Sequence, residues 1–202
     1  ITMHLREDRR HIQEHDVRRL MERGKTKVNL EMAVTPAMVR FAEKLRPKDA
    51  CFVPEQRQEL TTEGGLNVVA HKRKVTDAVA RLQARGIQVA LFIDPVRDQI
   101  ECAQETGAHG IEIHTGSYCN TTGAKRAREL RKIIAGAKLA SELGLEVHGG
   151  HGLDYDNVTP VAGIAEIVEL NIGHSIVARA VMVGIQQAVR EMKQLLKRAR
   201  RS

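Results

Sequence analysis

The chain has 202 residues, 42% of them hydrophobic and 28% charged, with a formal net charge of +7; that is enough for one domain with a buried core, and it excludes a disordered chain. Two Tyr, three Phe and no Trp leave the core to aliphatic side chains and offer no platform for stacking bases, so the positive charge reads as a basic surface helix, much of it in the tail at 193–201, or as a preference for phosphate, rather than as a nucleic-acid surface. Cys51, Cys102 and Cys119 fit no zinc or CxxC spacing, which points to reduced thiols in a cytoplasmic protein, and neither a secretory signal nor an apolar run of the roughly 20 residues that span a membrane is present.

Short apolar runs alternate with helical patterns along the whole chain. Strands are predicted at 1–6, 27–33, 49–54, 88–94, 110–116, 145–150 and 168–173, and helices at 16–23, 36–45, 67–85, 96–106, 123–143, 157–165 and 175–200. Thr35-Pro36 supplies a cap and a first-turn proline. Gly86, Gly107 and Gly144 each stand where a helix should end before the next strand. No linker divides the chain, so residues 1–202 are read as one domain. Strand–helix alternation predicts a parallel sheet. No GxGxxG or GxxxxGK[ST] loop follows a strand, whereas polar residues recur at strand C-terminal ends, as in a TIM (β/α)8 barrel. Seven strands are offered where a closed barrel needs eight, and the first segment already starts as a strand; strands 2–8 are expected here, with strand 1 missing.

The polar residues follow in chain order. His4 and Arg6 share one face of the opening strand, and Arg6, Arg9, Arg10 and His11 are donors suited to phosphate or hydroxyls, or else an exposed charged loop paired with Glu7 and Asp8. In 28–33, Asn29 and Glu31 face one way; a carboxylate inside such a strand is costly unless it is paired or has a task, and burial would suit it to acid–base work. A structural ion pair is the alternative. The loop 53–65 brings Thr61, Thr62 and the pair Gly64-Gly65, through which backbone can approach a ligand. Glu112 and His114 share a face in 110–116. His151 sits at a strand exit within GGHG. Gly173, His174 and Ser175 stand where the last strand meets the N-terminus of the last helix, whose free N–H groups favour an anion. His148 and His151 could touch a metal, but nothing in the spacing requires one.

As a set, HLREDRRHI (4–12), NLEMA (29–33), VPEQRQELTTEGG (53–65), LFID (91–94), IEIHTG (111–116), GHGL (150–153) and ELNIGH (169–174) resemble the pyridoxine 5′-phosphate synthase family of vitamin B6 biosynthesis. The resemblance implies a TIM-barrel transferase that condenses 3-amino-2-oxopropyl phosphate with 1-deoxy-D-xylulose 5-phosphate to pyridoxine 5′-phosphate, phosphate and water. It implies His4 and Glu31 as proton acceptors, His151 as proton donor and Glu112 in transition-state stabilisation. Arg6, His11 and Thr61 would contact the deoxyxylulose phosphate; Gly152, Gly173 and His174 would contact the aminoketone phosphate. It implies no metal or organic cofactor, a cytoplasmic homo-oligomer, typically an octamer, and neither a nucleic-acid nor a membrane partner. The family opens with a segment resembling VNIDHxATLRxARG that these residues do not contain, so the alternative is an inactive phosphate-binding barrel fragment of that family.

Overall fold

The computed structural model describes residues 1–56, 59 and 64–201. Among them, seven strands form one sheet: β1 (Thr2–His4), β2 (Asn29–Met32), β3 (Asp49–Phe52), β4 (Gln88–Ile93), β5 (Gly110–His114), β6 (Glu146–Gly150) and β7 (Ile167–Asn171). Their order across the sheet is the order along the chain, and every neighbouring pair is parallel. All seven predicted strands are present, six of them shortened and the last running over Ile167–Asn171 rather than 168–173. Between them run α1 (Glu14–Arg23), α2 (Pro36–Leu45), α3 (Val68–Gln83), α4 (Arg97–Glu105), α5 (Gly116–Cys119), α6 (Gly123–Glu142) and α7 (Val158–Ala162); α8 (His174–Val183) and α9 (Ile185–Ala199) follow β7.

Side-chain alternation along the strands separates an apolar layer from a polar one. Leu30, Met32, Leu91, Ile93, Ile111 and Ile113 are fully buried together with Met38 of α2 and Val75, Val79 and Leu82 of α3. The opposite face carries Asn29, Glu31, Cys51, Phe92, Glu112 and His114, with a small apolar group of Cys51, Val53, Ala90 and Phe92. That face is concave. Thr2 of β1 donates to Asn171 Oδ1 of β7 at 2.7 Å, and Lys27 ion-pairs with both Asp49 (3.1 Å) and Glu169 (2.9 Å). Strands at opposite ends of the sheet can meet through side chains only if the sheet curls until its edges face each other. The two edges share no backbone ladder.

Local signals behave as the sequence predicts. The Thr35 hydroxyl accepts from Met38 N–H at the start of α2, with Pro36 in the first turn, and Gly86, Gly107 and Gly144 take φ of 76, 77 and 80° after helices. Two features differ from expectation. The predicted helix 175–200 is two helices, because Gly184 adopts φ 81° and ψ 150°, far from the helical φ near −63°. A short extra turn, α5, follows β5. The basic tail is helical: α9 buries Ala188 and Met192, and Arg200 donates to the carbonyls of Ala165 and Ile167, at the root of β7.

Candidate active site

The concave face opens into a cavity of about 1430 Å³ whose lining includes His4, Glu31, Glu112, His114 and His151. It reaches the C-terminal ends of the strands and runs along the gap between β1 and β7, down to Lys27 and Glu169. Gly152, Gly173 and His174 line it as well. The four residues expected to move or hold charge during reaction, His4, Glu31, Glu112 and His151, are therefore brought to one cavity by strands β1, β2, β5 and β6. Inward alternation explains this: His4 is in register with Glu31, and Glu112 with His148, one inward position before Gly150.

His4 stands between two carboxylates. Its Nε2 is 2.9 Å from Glu55 Oε1 and its Nδ1 is 3.9 Å from Glu31 Oε2. Glu55 is held in turn, because its other oxygen accepts the Glu7 N–H at 2.9 Å. Burial pushes the Glu31 carboxyl above its ordinary range, and the charge of His4 offsets part of that shift. Glu31 is thus a carboxyl raised by burial and set beside an imidazole, an arrangement suited to general acid–base work.

Glu112 is 2% exposed. Burial, followed by the neighbouring Glu31 charge, pushes its carboxyl up to about 8, against hydrogen bonds from Asn171 and Cys51 that favour the ionised form. Asn171 Nδ2 donates to Glu112 Oε2 at 2.7 Å, Thr2 donates to the oxygen of the same amide, and Asn29 Nδ2 donates to the Thr2 hydroxyl at 3.3 Å. A chain of side chains from β2, β1 and β7 thereby ends on the β5 carboxyl. The Cys51 thiol, 3.8 Å from Glu112, is pushed well up by burial and then by Glu112, so it is a protonated donor rather than a nucleophile.

His151 has φ of 80°, a conformation that costs a residue with a Cβ about 1–2 kcal/mol. The Thr115 hydroxyl, 2.7 and 2.6 Å from the carbonyls of Gly150 and His151, holds that turn. Backbone strain of this kind clusters at functional sites. Burial, then the neighbouring His114, lowers the proton affinity of His151. It is therefore a neutral imidazole at neutral pH, with one N–H to give and one lone pair. Its ring lies 5.1 Å from that of His114, and Phe92 touches both.

Gly173 and His174 open the ten-residue helix α8. A Cβ on Gly173 would meet nothing within 4 Å, so the approach to the first N–H groups is clear, as an anion at a helix N-terminus needs. Ser175, which could have capped the helix, instead donates to the Leu153 carbonyl at 2.8 Å. Asn157 donates to the Gly152 carbonyl at 3.2 Å and fixes the neighbouring turn.

Two expected contacts stand apart. Arg6 turns its guanidinium to Asp8 at 3.3 Å, His11 is exposed, and neither is among the described lining residues. Thr61 lies outside the described residues. Sequence reasoning did not single out Glu55, Asp94, Asn171 or Gly150 as site residues. All four stand inside the quoted motifs, but their roles depend on contacts between residues 20 to 169 apart in the chain, which spacing alone cannot reveal. Among the described residues, no three His, Cys, Asp or Glu side chains are grouped as a metal ion would need.

Comparison with known proteins gives a consistent result. The family model described as pyridoxal phosphate biosynthesis protein PdxJ matches residues 1–198. A protein of Magnetococcus marinus named pyridoxine 5′-phosphate synthase is 54% identical over 200 residues, covering 98% of this chain and 82% of that protein. One of the same name from Legionella pneumophila (strain Corby) is 52% identical, covering 99% and 81%. Among solved structures, one described as "Native KDPGal structure" is similar with a TM-score of 0.65 at 12% identity, covering 97% of this chain and 82% of the other. The KGPDC structure from Streptococcus mutans is similar with a TM-score of 0.63 at 15% identity, covering 93% and 80%. At such identities these two speak for the fold alone.

Proposed function

The chain belongs to the PdxJ family of pyridoxal phosphate biosynthesis proteins, and from that premise we propose that it is a pyridoxine 5′-phosphate synthase. The reaction is the condensation of 3-amino-2-oxopropyl phosphate with 1-deoxy-D-xylulose 5-phosphate to pyridoxine 5′-phosphate, phosphate and water. The observation that carries the reading is the convergence of His4, Glu31, Glu112 and His151 on one cavity in a chain 54% identical to a synthase.

Joining an amine to a ketone and then losing water and phosphate demands repeated proton transfers. Glu31 and His4, 3.9 Å apart, take protons from the substrate and exchange them with each other. His151, neutral and strained into the cavity, donates its N–H. Glu112 keeps a proton at neutral pH because its carboxyl is pushed up to about 8, so it donates a hydrogen bond to an oxygen that gains negative charge in the transition state, as a preorganised group should. The turn at Gly173 and His174, with Gly152, receives the aminoketone phosphate. Arg6, His11 and Thr61 receive the other phosphate, which for Arg6 means releasing Asp8. Mixing the protein with both substrates and following phosphate release and pyridoxine 5′-phosphate together tests the reading; release of neither refutes it in favour of a phosphate-binding protein without turnover.

For the architecture we propose a closed eight-stranded barrel, with one further parallel strand between β7 and β1. Thr2 and Asn171 meet through their side chains alone, and the two edges share no backbone ladder, so a further parallel strand would pair the edge N–H and C=O groups of both. Val168 on β7 and Val177, Val181 and Met182 on α8 are exposed apolar side chains, which a further crossover unit packed on these elements would cover. A cytoplasmic homo-octamer completes the proposal. No helix among the described residues is long and apolar enough to cross a membrane.

A further inference from the structure

One pair of titratable side chains at the cavity wall, where His114 lines the space and Asp94 lies behind it, has no part in the reaction as set out above. Asp94, at the end of β4, is 1% exposed, and its Oδ1 lies 3.0 Å from Nδ1 of His114, at the end of β5. Its Oδ2 accepts the Gly65 N–H at 3.2 Å. The side chains of Asp94 and His114 are 2% and 9% exposed, so the pair is nearly closed off from water on that side.

We propose that Asp94 is a positioning residue that locks His114 as the Nδ1–H tautomer, so that the Nε2 lone pair of His114 faces the cavity as a third imidazole acceptor beside His4 and His151. A carboxylate only accepts, so the proton between Asp94 and His114 sits on Nδ1, and Nε2 is left with its lone pair. The space around Nε2 has been kept open. A Cβ on Gly116 would fall 2.5 Å from Nε2 of His114 and 3.1 Å from Cδ2 of His151, and a Cβ on Gly64 would fall 3.0 Å from Cε1 of His114. Two glycines thus leave the two rings a shared notch. When Nε2 takes a proton from a substrate N–H or O–H, the imidazolium formed stands against the Asp94 carboxylate, and the same proton leaves from Nε2 to the departing hydroxide or to solvent. Nδ1 keeps its own proton throughout.

Gly65 makes the claim sharp. In Asp94→Asn the Gly65 N–H requires an oxygen, so the amide must turn its NH2 toward His114. Nδ1 is then obliged to accept, the ring proton moves to Nε2, and the acceptor facing the cavity becomes a donor. An oriented His placed in the wrong tautomer by an Asp-to-Asn change can lose up to about 10⁴-fold in turnover.

The inference rests on the proposed synthase activity, and the experiment separates the two. Histidine ring nitrogens are followed by 15N NMR in the full chain, with His114 assigned from His114→Gln, and turnover is followed as phosphate release. Expected are an Nδ1–H tautomer in the unsubstituted chain, an Nε2–H tautomer in Asp94→Asn, a fall in kcat of at least about 100-fold with little change in KM, and no further fall when Asp94→Asn is added to His114→Gln. Gly116→Ala, which places a methyl on Nε2 without touching Asp94, should lower kcat with the Nδ1–H tautomer retained. An Nε2–H tautomer in the unsubstituted chain overturns the proposal, as does Asp94→Asn costing as much without His114 as with it. Absence of product from the unsubstituted chain overturns the proposed activity instead, and the tautomer alone then decides on Asp94.

Discussion

Asn171 donates to Glu112 across 2.7 Å and at the same time accepts from Thr2 at 2.7 Å, so the most strongly perturbed carboxyl of the barrel is oriented by an amide that is itself fixed from the opposite edge of the sheet. Because an amide whose oxygen is taken can offer Glu112 only N–H, it favours the ionised form. Burial outweighs it and keeps the proton on.

That balance predicts a pH dependence of stability. The folded protein holds a Glu112 proton up to about pH 8, whereas the unfolded chain releases it near 4.5. Stability should therefore fall as pH rises from 4.5 to 8, by at most about 1.4 kcal/mol per pH unit from this group, and level off above. In Glu112→Gln the slope over that window should be smaller, while below pH 4.5 the two proteins converge. Urea titrations at several pH values measure it, and an unchanged slope would refute the assignment.

Glu31 is expected to be indispensable to proton transfer. Glu31→Gln keeps the shape and removes the titrating group, and should lower kcat at least about 100-fold with an unaltered circular dichroism spectrum. Near-normal phosphate release by this variant would remove Glu31 from the reaction.

His151 should invert the ordinary order of glycine and alanine. At φ 80° a residue with a Cβ is strained, so His151→Gly should be more stable than His151→Ala by about 1 kcal/mol, although glycine normally loses that comparison. Both variants should lack the donor and lose turnover. Chemical denaturation of the two, side by side, is sufficient.

Gly184→Ala offers a test of the helix break. Nothing lies within 4 Å of a Cβ there, so the entire effect is backbone strain at φ 81° and ψ 150°, about 1–3 kcal/mol, visible as a lower urea midpoint.

Much of the site was legible because strand alternation is a strong rule. Once 110–116 reads as a strand, Glu112 and His114 must share a face, and the same holds for Asn29 and Glu31. The break at Gly184 was not legible. No proline or turn cluster accompanies it in Val181-Met182-Val183-Gly184-Ile185-Gln186-Gln187, and one glycine inside a helix costs only about 1 kcal/mol, so continuity is the natural reading. Asp94–His114 and His4–Glu55 were hidden for a different reason: each joins the ends of two strands, and which ends meet depends on sheet register and on how tightly the sheet curls. Arg6 illustrates the reverse. Its charge and position allow a phosphate ligand or a loop ion pair with Asp8, and the ion pair is the one formed.

Gly150 lies directly beside the Glu112 carboxyl, where a Cβ would collide with Oε1, just as Gly64 and Gly116 lie beside the His114 ring. Three of the titrating groups' closest neighbours are thus positions without a side chain. In a survey of variants, alanine at any of these would pass as a mild substitution on a scale of chemical similarity. Here it should rank with loss of the acid or base itself, since it displaces the group that gives or takes the proton.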